Sequence, residues 1–253
     1  MKTFKIIFSP TGGTEKIADI LTDTFTGQTE TIDLSNRHFD GSALRLQPSD
    51  LAVIAMPCFG GRIPKVAKDR LLQMDGNGCK AVVVNVYGNR AYDDALLEEV
   101  NAAKEAGFEV ISAIAAVAEH SIMHEYAAGR PDAQDVDQLI DFASRIAFQL
   151  AGETPFAEPL VPGNEPYCKE GAVPLTPQIK GNCIKCGTCA ESCPVGAIEP
   201  VKFKANPKDC IACMRCIKVC PVRVRKVNGM LVKVASMAIK KQESTRKQNE
   251  LYL

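Results

Sequence analysis

The chain has 253 residues, 46% apolar and 24% charged, with 30 basic and 30 acidic side chains and eleven cysteines. Collagen-like, disordered and supercharged classes are excluded, and zero net charge removes any overall argument for a nucleic-acid partner. The neutrality hides an asymmetry: residues 1 to 152 hold 14 basic and 21 acidic side chains, residues 153 to 253 hold 16 and 9, and halves of opposite sign point to two units.

The first 151 residues alternate strand-like and helix-like patterns. Phe4 to Phe8, Leu51 to Met56, Ala81 to Val86 and Val110 to Val117 are short apolar runs of the kind found in parallel strands covered on both faces. Thr29 to Leu34 is more polar and suits an edge strand. Between them, Ile17, Ile20, Leu21 and Phe25 mark one helical face, Leu96, Leu97, Val100 and Ala103 a second, and Val136 to Leu150 a third. Pro64 is expected as the first residue of a further helix carrying Ala67, Leu71 and Met74. Five strands alternating with helices predict an α/β, doubly wound, five-stranded parallel sheet.

The run at Phe4 to Phe8 breaks at Pro10 and is too short for a signal peptide. No stretch approaches the roughly 18 apolar residues of a membrane span. A cytoplasmic protein without a membrane partner is expected, and in that reducing compartment eleven cysteines read as metal ligands before disulfides.

From residue 152 to 180 six prolines crowd together and predict an extended linker. Residues 181–230 then carry a duplicated spacing: Cys183-x2-Cys186-x2-Cys189-x3-Cys193-Pro194 recurs 27 positions later as Cys210-x2-Cys213-x2-Cys216-x3-Cys220-Pro221. This run binds two [4Fe–4S] clusters when the fourth cysteine of each run ligates the other cluster. One ligand set is therefore Cys183, Cys186, Cys189 and Cys220, and the other Cys210, Cys213, Cys216 and Cys193. Ile184, Ile198, Ile211 and Val219 are expected to keep water off them. A pair of zinc ribbons is the competing reading, but zinc sites use two cysteine pairs across a longer loop. Cys58, Cys79 and Cys168 read as small buried or incidental thiols. Residues 231–253 read as a basic tail, from Ala235 on a short helix or a frayed segment, whose charges form a solvated face.

Three loops leave C-terminal ends of the predicted strands, where ligands of doubly wound folds bind. The first, Ser9-Pro10-Thr11-Gly12-Gly13-Thr14, offers hydroxyls and glycines at a helix N-terminus, an anion cradle suited to a terminal phosphate. It matches neither the dinucleotide nor the triphosphate fingerprint. The others, Pro57-Cys58-Phe59-Gly60-Gly61-Arg62 and Tyr87-Gly88-Asn89-Arg90-Ala91-Tyr92-Asp93-Asp94, set aromatic rings beside glycines, as a flat ring system needs. His120 and His124, four apart beside Glu119 and Glu125, would share a helix face and could hold a metal, although an ordinary surface segment or a place on the rim of the ligand site competes with that reading.

On these motifs residues 1 to about 150 resemble flavodoxins and residues 181 to about 226 resemble bacterial two-cluster ferredoxins. The whole chain resembles the flavodoxin–ferredoxin fusion family of anaerobic prokaryotes. The resemblance implies a sheet ordered 2-1-3-4-5 with FMN at the switch point, and a small α+β cluster domain. Ser9, Thr11, Gly12, Gly13 and Thr14 would hold the phosphate, and Phe59 and Tyr87 would flank the isoalloxazine. Pro57, Cys58, Gly60, Gly61, Gly88, Asn89, Arg90, Tyr92 and Asp93 would lie close by. The chain has no tryptophan to stack on the flavin.

The reading that follows is electron transfer between two [4Fe–4S] clusters and FMN, and to or from an external redox protein or low-potential donor or acceptor. An FMN-dependent reductase fed by the clusters is the alternative, and a redox-sensing module a third class. Lys202, Lys204, Lys208, Arg215, Lys218, Arg223, Arg225 and Lys226 make the cysteine-rich region basic; the opposite fields would favour docking against the acidic half or raise the cluster potentials, and scattered solvated lysines are the competing reading.

Overall fold

The computed structural model describes the chain except residues 153–155, 172–174 and 244 and the side chains of 241–243. Four strands, β1 (Thr3–Ile7), β3 (Leu51–Pro57), β4 (Lys80–Tyr87) and β5 (Glu109–Val117), run parallel, with β2 (Thr29–Asp33) outside β1. Their order is β2-β1-β3-β4-β5, the flavodoxin-like winding. Apolar residues on successive positions of β3 and β4 are buried because helices cover both faces. On one face α1 (Gly13–Thr22) and α4 (Ala133–Ala151) press Ile17, Leu21, Leu139 and Ile146 onto Val53, Val82 and Ile114. On the other, α2 (Lys65–Leu71) and α3 (Ala95–Glu105) press Leu71, Leu96 and Val100 onto Ile54 and Val83. Pro64 caps α2 rather than opening it: its ψ of 123° is extended, and its carbonyl accepts from the N–H groups of Ala67 and Lys68.

The sheet has a sixth strand, which corrects the five-stranded expectation. A short strand, β8 (Glu250–Tyr252), lies antiparallel along β5, with Ile114 opposite Leu251. It is the end of what reads in sequence as a solvated tail. The helix offered for that tail is α7 (Gly229–Glu243), and beyond it a segment returns to the first domain. Arg246 forks onto Asp132 at 2.7 and 3.0 Å, and Asn249, 3% exposed, accepts from Val117 N at 2.8 Å and donates to Asp135 and Gln138. Three residues are too few for a strand pattern, so only the partner edge reveals it.

Residues 156–171 form no helix or strand and cross α3. Lys104 meets Glu158 at 2.6 Å, Asn101 donates to Tyr167 at 2.7 Å, and the Asp94 carboxylate accepts from the N–H groups of Asn164 and Cys168 at 2.8 and 2.5 Å. Beyond them, β6 (Gln178–Ile179) pairs with β7 (Arg225–Lys226), and the one-turn helices α5 (Thr188–Glu191) and α6 (Arg215–Lys218) sit 27 positions apart. Ala190, Ala197, Ile198, Phe203 and Ala205 form this small core.

The two parts are in contact. Buried Arg70 donates to Leu34 O at 2.6 Å and to Pro194 O at 2.8 Å, and Ile211 packs against the apolar core of the sheet. Arg215 approaches Asp33 at 3.8 Å and is the member of the basic set that pairs across the boundary among the described ion pairs. Arginines from the acidic half, Arg37 and Arg70, contribute at least as much, so the docking is not a simple meeting of opposite fields. Among the described residues no helix is long and apolar enough to cross a membrane.

Candidate functional site

The turn into α1 is shaped by Gly12, whose φ of +93° costs an L side chain energy even though open space surrounds the position. Ser9 Oγ accepts from Glu15 N at 2.9 Å, while Ser9 N donates to Ser35 Oγ at 3.0 Å. These bonds hold the loop so that Thr11, Gly13 and Thr14 face a cavity at the positive end of α1. Pro57, Cys58, Phe59, Tyr87, Gly88 and His120 form the opposite walls, and Cys213 reaches in from the cysteine-rich part.

Adjoining it is a cavity of about 1040 Å³ between the sheet loops and the second domain. Cys58, Phe59, Gly60, Tyr87, Gly88 and Arg90 line one side; Lys208, Cys210, Ile211 and Ala212, together with Leu231, Ala235 and Ile239 of α7, line the other. A glycine- and hydroxyl-rich anion cradle opening into a broad slot edged by Phe59 and Tyr87 fits a phosphate-tailed flat ring.

Several expected residues lie elsewhere. Ser9, Gly12 and Gly61 stand behind the walls as supports. Asn89, Tyr92 and Asp93 do not line either cavity. Asn89 Nδ2 donates to Thr245 O at 3.0 Å and its Oδ1 accepts from Lys247 N at 3.1 Å. Tyr92 Oη meets Glu250 Oε2 at 2.7 Å and Tyr252 Oη at 2.9 Å, and Asp93 pairs with Arg90. These three polar side chains are taken up by the returning segment and by the loop itself.

Of the readings open for His120, the structure favours the rim: it lines both cavities. It lies two positions past Ala118, whose N–H donates to Tyr87 O, so it faces the glycine after β4. Its Nδ1 accepts from the N–H groups of Ile122 and Met123 at 3.2 and 3.3 Å, which leaves the neutral ring with its hydrogen on Nε2. Burial pushes its pKa down. His124 instead pairs with Glu119 at 2.7 Å; residues 118–132 form no helix, so the two histidines share no metal-binding face.

All eleven cysteines are free. Cys183, Cys186, Cys189 and Cys220 surround one hollow, and Cys193, Cys210, Cys213 and Cys216 a second. The repeat is written in the backbone: Lys185 and Ala212, Gly187 and Met214, and Gly196 and Arg223, each pair 27 apart, all have φ between 52° and 81°. Left-handed residues coil a loop so that successive N–H groups point inward, as anionic sulfur needs. Lys185 N and Ala197 N donate to Cys183 Sγ and Cys193 Sγ at 3.4 and 3.3 Å. Four non-glycine residues accept this conformation, at a cost of about 1 kcal/mol each. Among the described residues no three His, Cys, Asp or Glu side chains close on a single-ion position, whereas tetrahedral zinc needs sulfurs about 2.3 Å from one point. Sulfurs spread around two hollows fit a larger inorganic core.

The two quartets differ in setting. Burial pushes the Cys213 and Cys216 thiols up to about 11 and about 12. In the other set a Thr188 hydroxyl holds Cys186 down, and the Cys220 thiol is lowered because N–H groups of residues 222–225 outweigh desolvation. Ile184, expected as a shield, is 59% exposed, while Ile198 is buried. Cys58 and Cys79 are pushed up to about 12 by burial and remain neutral thiols.

Residues 182–224 match the family model of a 4Fe-4S dicluster domain. No curated protein matches the chain. Solved structures similar to it include the flavodoxin of Streptococcus pneumoniae TIGR4, at 20% identity over 59% of this chain and 99% of that one, with a TM-score of 0.44. Oxidised Flavodoxin 1 of Bacillus cereus follows at 18% identity, 60% and 100% coverage and a TM-score of 0.42. A Fusobacterium nucleatum flavodoxin bound to flavin mononucleotide is similar at 13% identity, 58% and 96% coverage and 0.37.

Proposed function

We propose that this chain, a flavodoxin-like sheet domain fused to a 4Fe-4S dicluster domain, passes electrons between two [4Fe–4S] clusters and FMN, and to or from external redox partners. FMN accepts electrons singly or in pairs and a cubane accepts one, so holding both lets one chain convert between the two. The observation that carries the reading is Cys213, which belongs to the second quartet and lines the same cavity as Thr11, Thr14, Tyr87, Gly88 and His120.

In this reading Cys183, Cys186, Cys189 and Cys220 hold one cluster, and Cys193, Cys210, Cys213 and Cys216 the other. Thr11, Gly13 and Thr14 hold the FMN phosphate, with Ser9 and Gly12 shaping their loop. Phe59 and Tyr87 edge the ring slot, His120 offers it an Nε2–H donor, and buried neutral Cys58 adds no charge. Ile211 and Arg70 keep the second quartet against the cavity. The first quartet, in which Cys186 is exposed while the second contains buried Cys193, is then the outer station. Eight cluster-holding cysteines suit a cytoplasmic location, where thiols stay reduced.

Protein purified without oxygen should carry about eight iron and one FMN per chain. Zinc, about four iron, or FAD in place of FMN overturns the reading.

The breadth of the cavity favours a second reading. Its volume of about 1040 Å³ stands at the top of the roughly 300–1,000 Å³ of ordinary ligand pockets, and Thr176, Gln178, Lys208 and Asn228 line it as well. An FMN-dependent reductase of a small molecule would use that space. Turnover of a candidate substrate by the reduced protein separates it from a carrier.

A further inference from the structure

The surface above the first quartet is built from two stretches that carry basic residues and no acidic ones. Residues 180–190 and 218–228, the two stretches that bring Cys183, Cys186, Cys189 and Cys220 together, contain six basic residues and no aspartate or glutamate. Arg225 is buried and spends its guanidinium on the carbonyls of Pro177 and Phe203. The other five, Lys180, Lys185, Lys218, Arg223 and Lys226, are exposed, and none makes an ion pair among the described residues. The second quartet is built otherwise: Asp209 lies in its loop, and Arg215 turns to Asp33 across the domain boundary.

Within this cationic surface lie two exposed apolar side chains, Ile184 at 59% and Val222 at 40%, which line the same hollow as the quartet. An apolar centre with a charged rim is the anatomy of a protein contact. It excludes water at the outermost sulfurs, while the rim steers an oppositely charged partner and sets its orientation.

We propose that this surface is the docking site of an acidic electron-carrier protein. The proposal rests on the electron-transfer reading above. The rim selects by sign of charge, and Ile184 and Val222 supply the short dry contact that electron exchange with the first quartet requires.

A reduced, acidic plant-type [2Fe–2S] ferredoxin serves as the probe, with the small cation radical of methyl viologen as a donor that needs no rim. Reduction of the iron–sulfur absorbance by the ferredoxin should slow about tenfold or more between low and high salt. Lys180→Glu with Lys226→Glu, both outside the cysteine runs, should slow it about tenfold at low salt. Arg145→Glu, a charge reversal on α4, should change it less than about twofold, and viologen rates should stay the same in all three proteins. In the oxidised state, carbodiimide should join ferredoxin carboxylates to Lys180 or Lys185, read by peptide mass spectrometry. Equal ferredoxin rates in the double variant, cross-links confined to other lysines, or failure of the ferredoxin cross-link to form when anionic vesicles already occupy the same lysines would overturn the docking site. If viologen reduces the clusters and the flavin absorbance does not follow, the electron-transfer reading itself fails and the docking site with it.

Discussion

A β-carbon added to Gly88 would lie 2.7 Å from Cδ2 of His120 and 2.9 Å from its Cβ and Cγ, so the imidazole rests on bare backbone at the mouth of the cavity. Gly88→Ala must therefore displace the ring. We expect flavin affinity to fall about tenfold, some 1.4 kcal/mol, in a fluorescence titration. In the Gly88→Ala background, His120→Ala should cost less than it does in the native chain, giving a coupling of at least about 0.5 kcal/mol. Additive losses would mean that the contact is incidental.

His120 also predicts a pH dependence. Its folded pKa is lowered by burial, so below the ordinary value of about 6.5 the unfolded chain binds a proton that the folded chain resists. Its share of stability is intact above that pH and is lost as pH falls. Urea midpoints measured between pH 7.5 and 5.5 should drop less steeply for His120→Gln than for the native protein.

Glu99 predicts the opposite slope. It is fully buried, its Oε2 accepts from Asn85 Nδ2 at 2.8 Å, and both Glu99 Oε1 and Asn85 Oδ1 lack partners among the described residues. A proton on Glu99 turns one orphan acceptor into the donor that the other lacks. Burial drives its pKa well up, so stability falls as pH rises past the unfolded carboxyl value. Glu99→Gln should stabilise the protein at pH 8 by about 1 kcal/mol or more and flatten that slope. The native protein should show an infrared carboxylic-acid carbonyl band that the variant lacks.

The crossed ligand sets can be read by thiol labelling. Cys220→Ala should halve the iron content and expose Cys183, Cys186 and Cys189 to alkylation, 31 or more positions away in sequence, while Cys210, Cys213 and Cys216 stay protected. Cys193→Ala should do the reverse. Protection following each run as a unit would refute the crossing.

Asn249 is the keystone of the returning segment. Asn249→Ala leaves Val117 N and the side chain of Asp135 short of a partner, a loss of about 2–3 kcal/mol. Calorimetry should register it as a lower melting temperature, and an exposed β5 edge should raise self-association seen by light scattering. An unchanged melting temperature would remove the lock from the account.

The sheet was legible because runs such as Leu51 to Met56 leave few alternatives to a strand covered on both faces. The cysteine quartets were legible because their spacing is tied to the geometry of their ligand. The flavin loops were legible only in part. Asn89 and Tyr92 sit in a loop that faces the cavity through Gly88 and Arg90, and a polar side chain turned to a returning strand looks, in sequence, like one turned to a ligand. Met214 holds the left-handed place that Gly187 holds in the first run, and a composition-based reading has no reason to put methionine there. His120 was visible as a residue, but its role depends on the pairing of β4 with β5.

Val117 and Asn249 are 132 positions apart in the chain yet hydrogen-bonded in the fold. At a synthesis rate of about 5–20 residues per second, the edge of β5 waits roughly 7 to 26 s for its cover. Both cysteine runs leave the ribosome within that interval, so the first domain closes only after the second has been made. A nascent chain interrupted among the cysteines keeps an open sheet edge, which marks it for chaperones and proteases before it reaches the pool of finished protein.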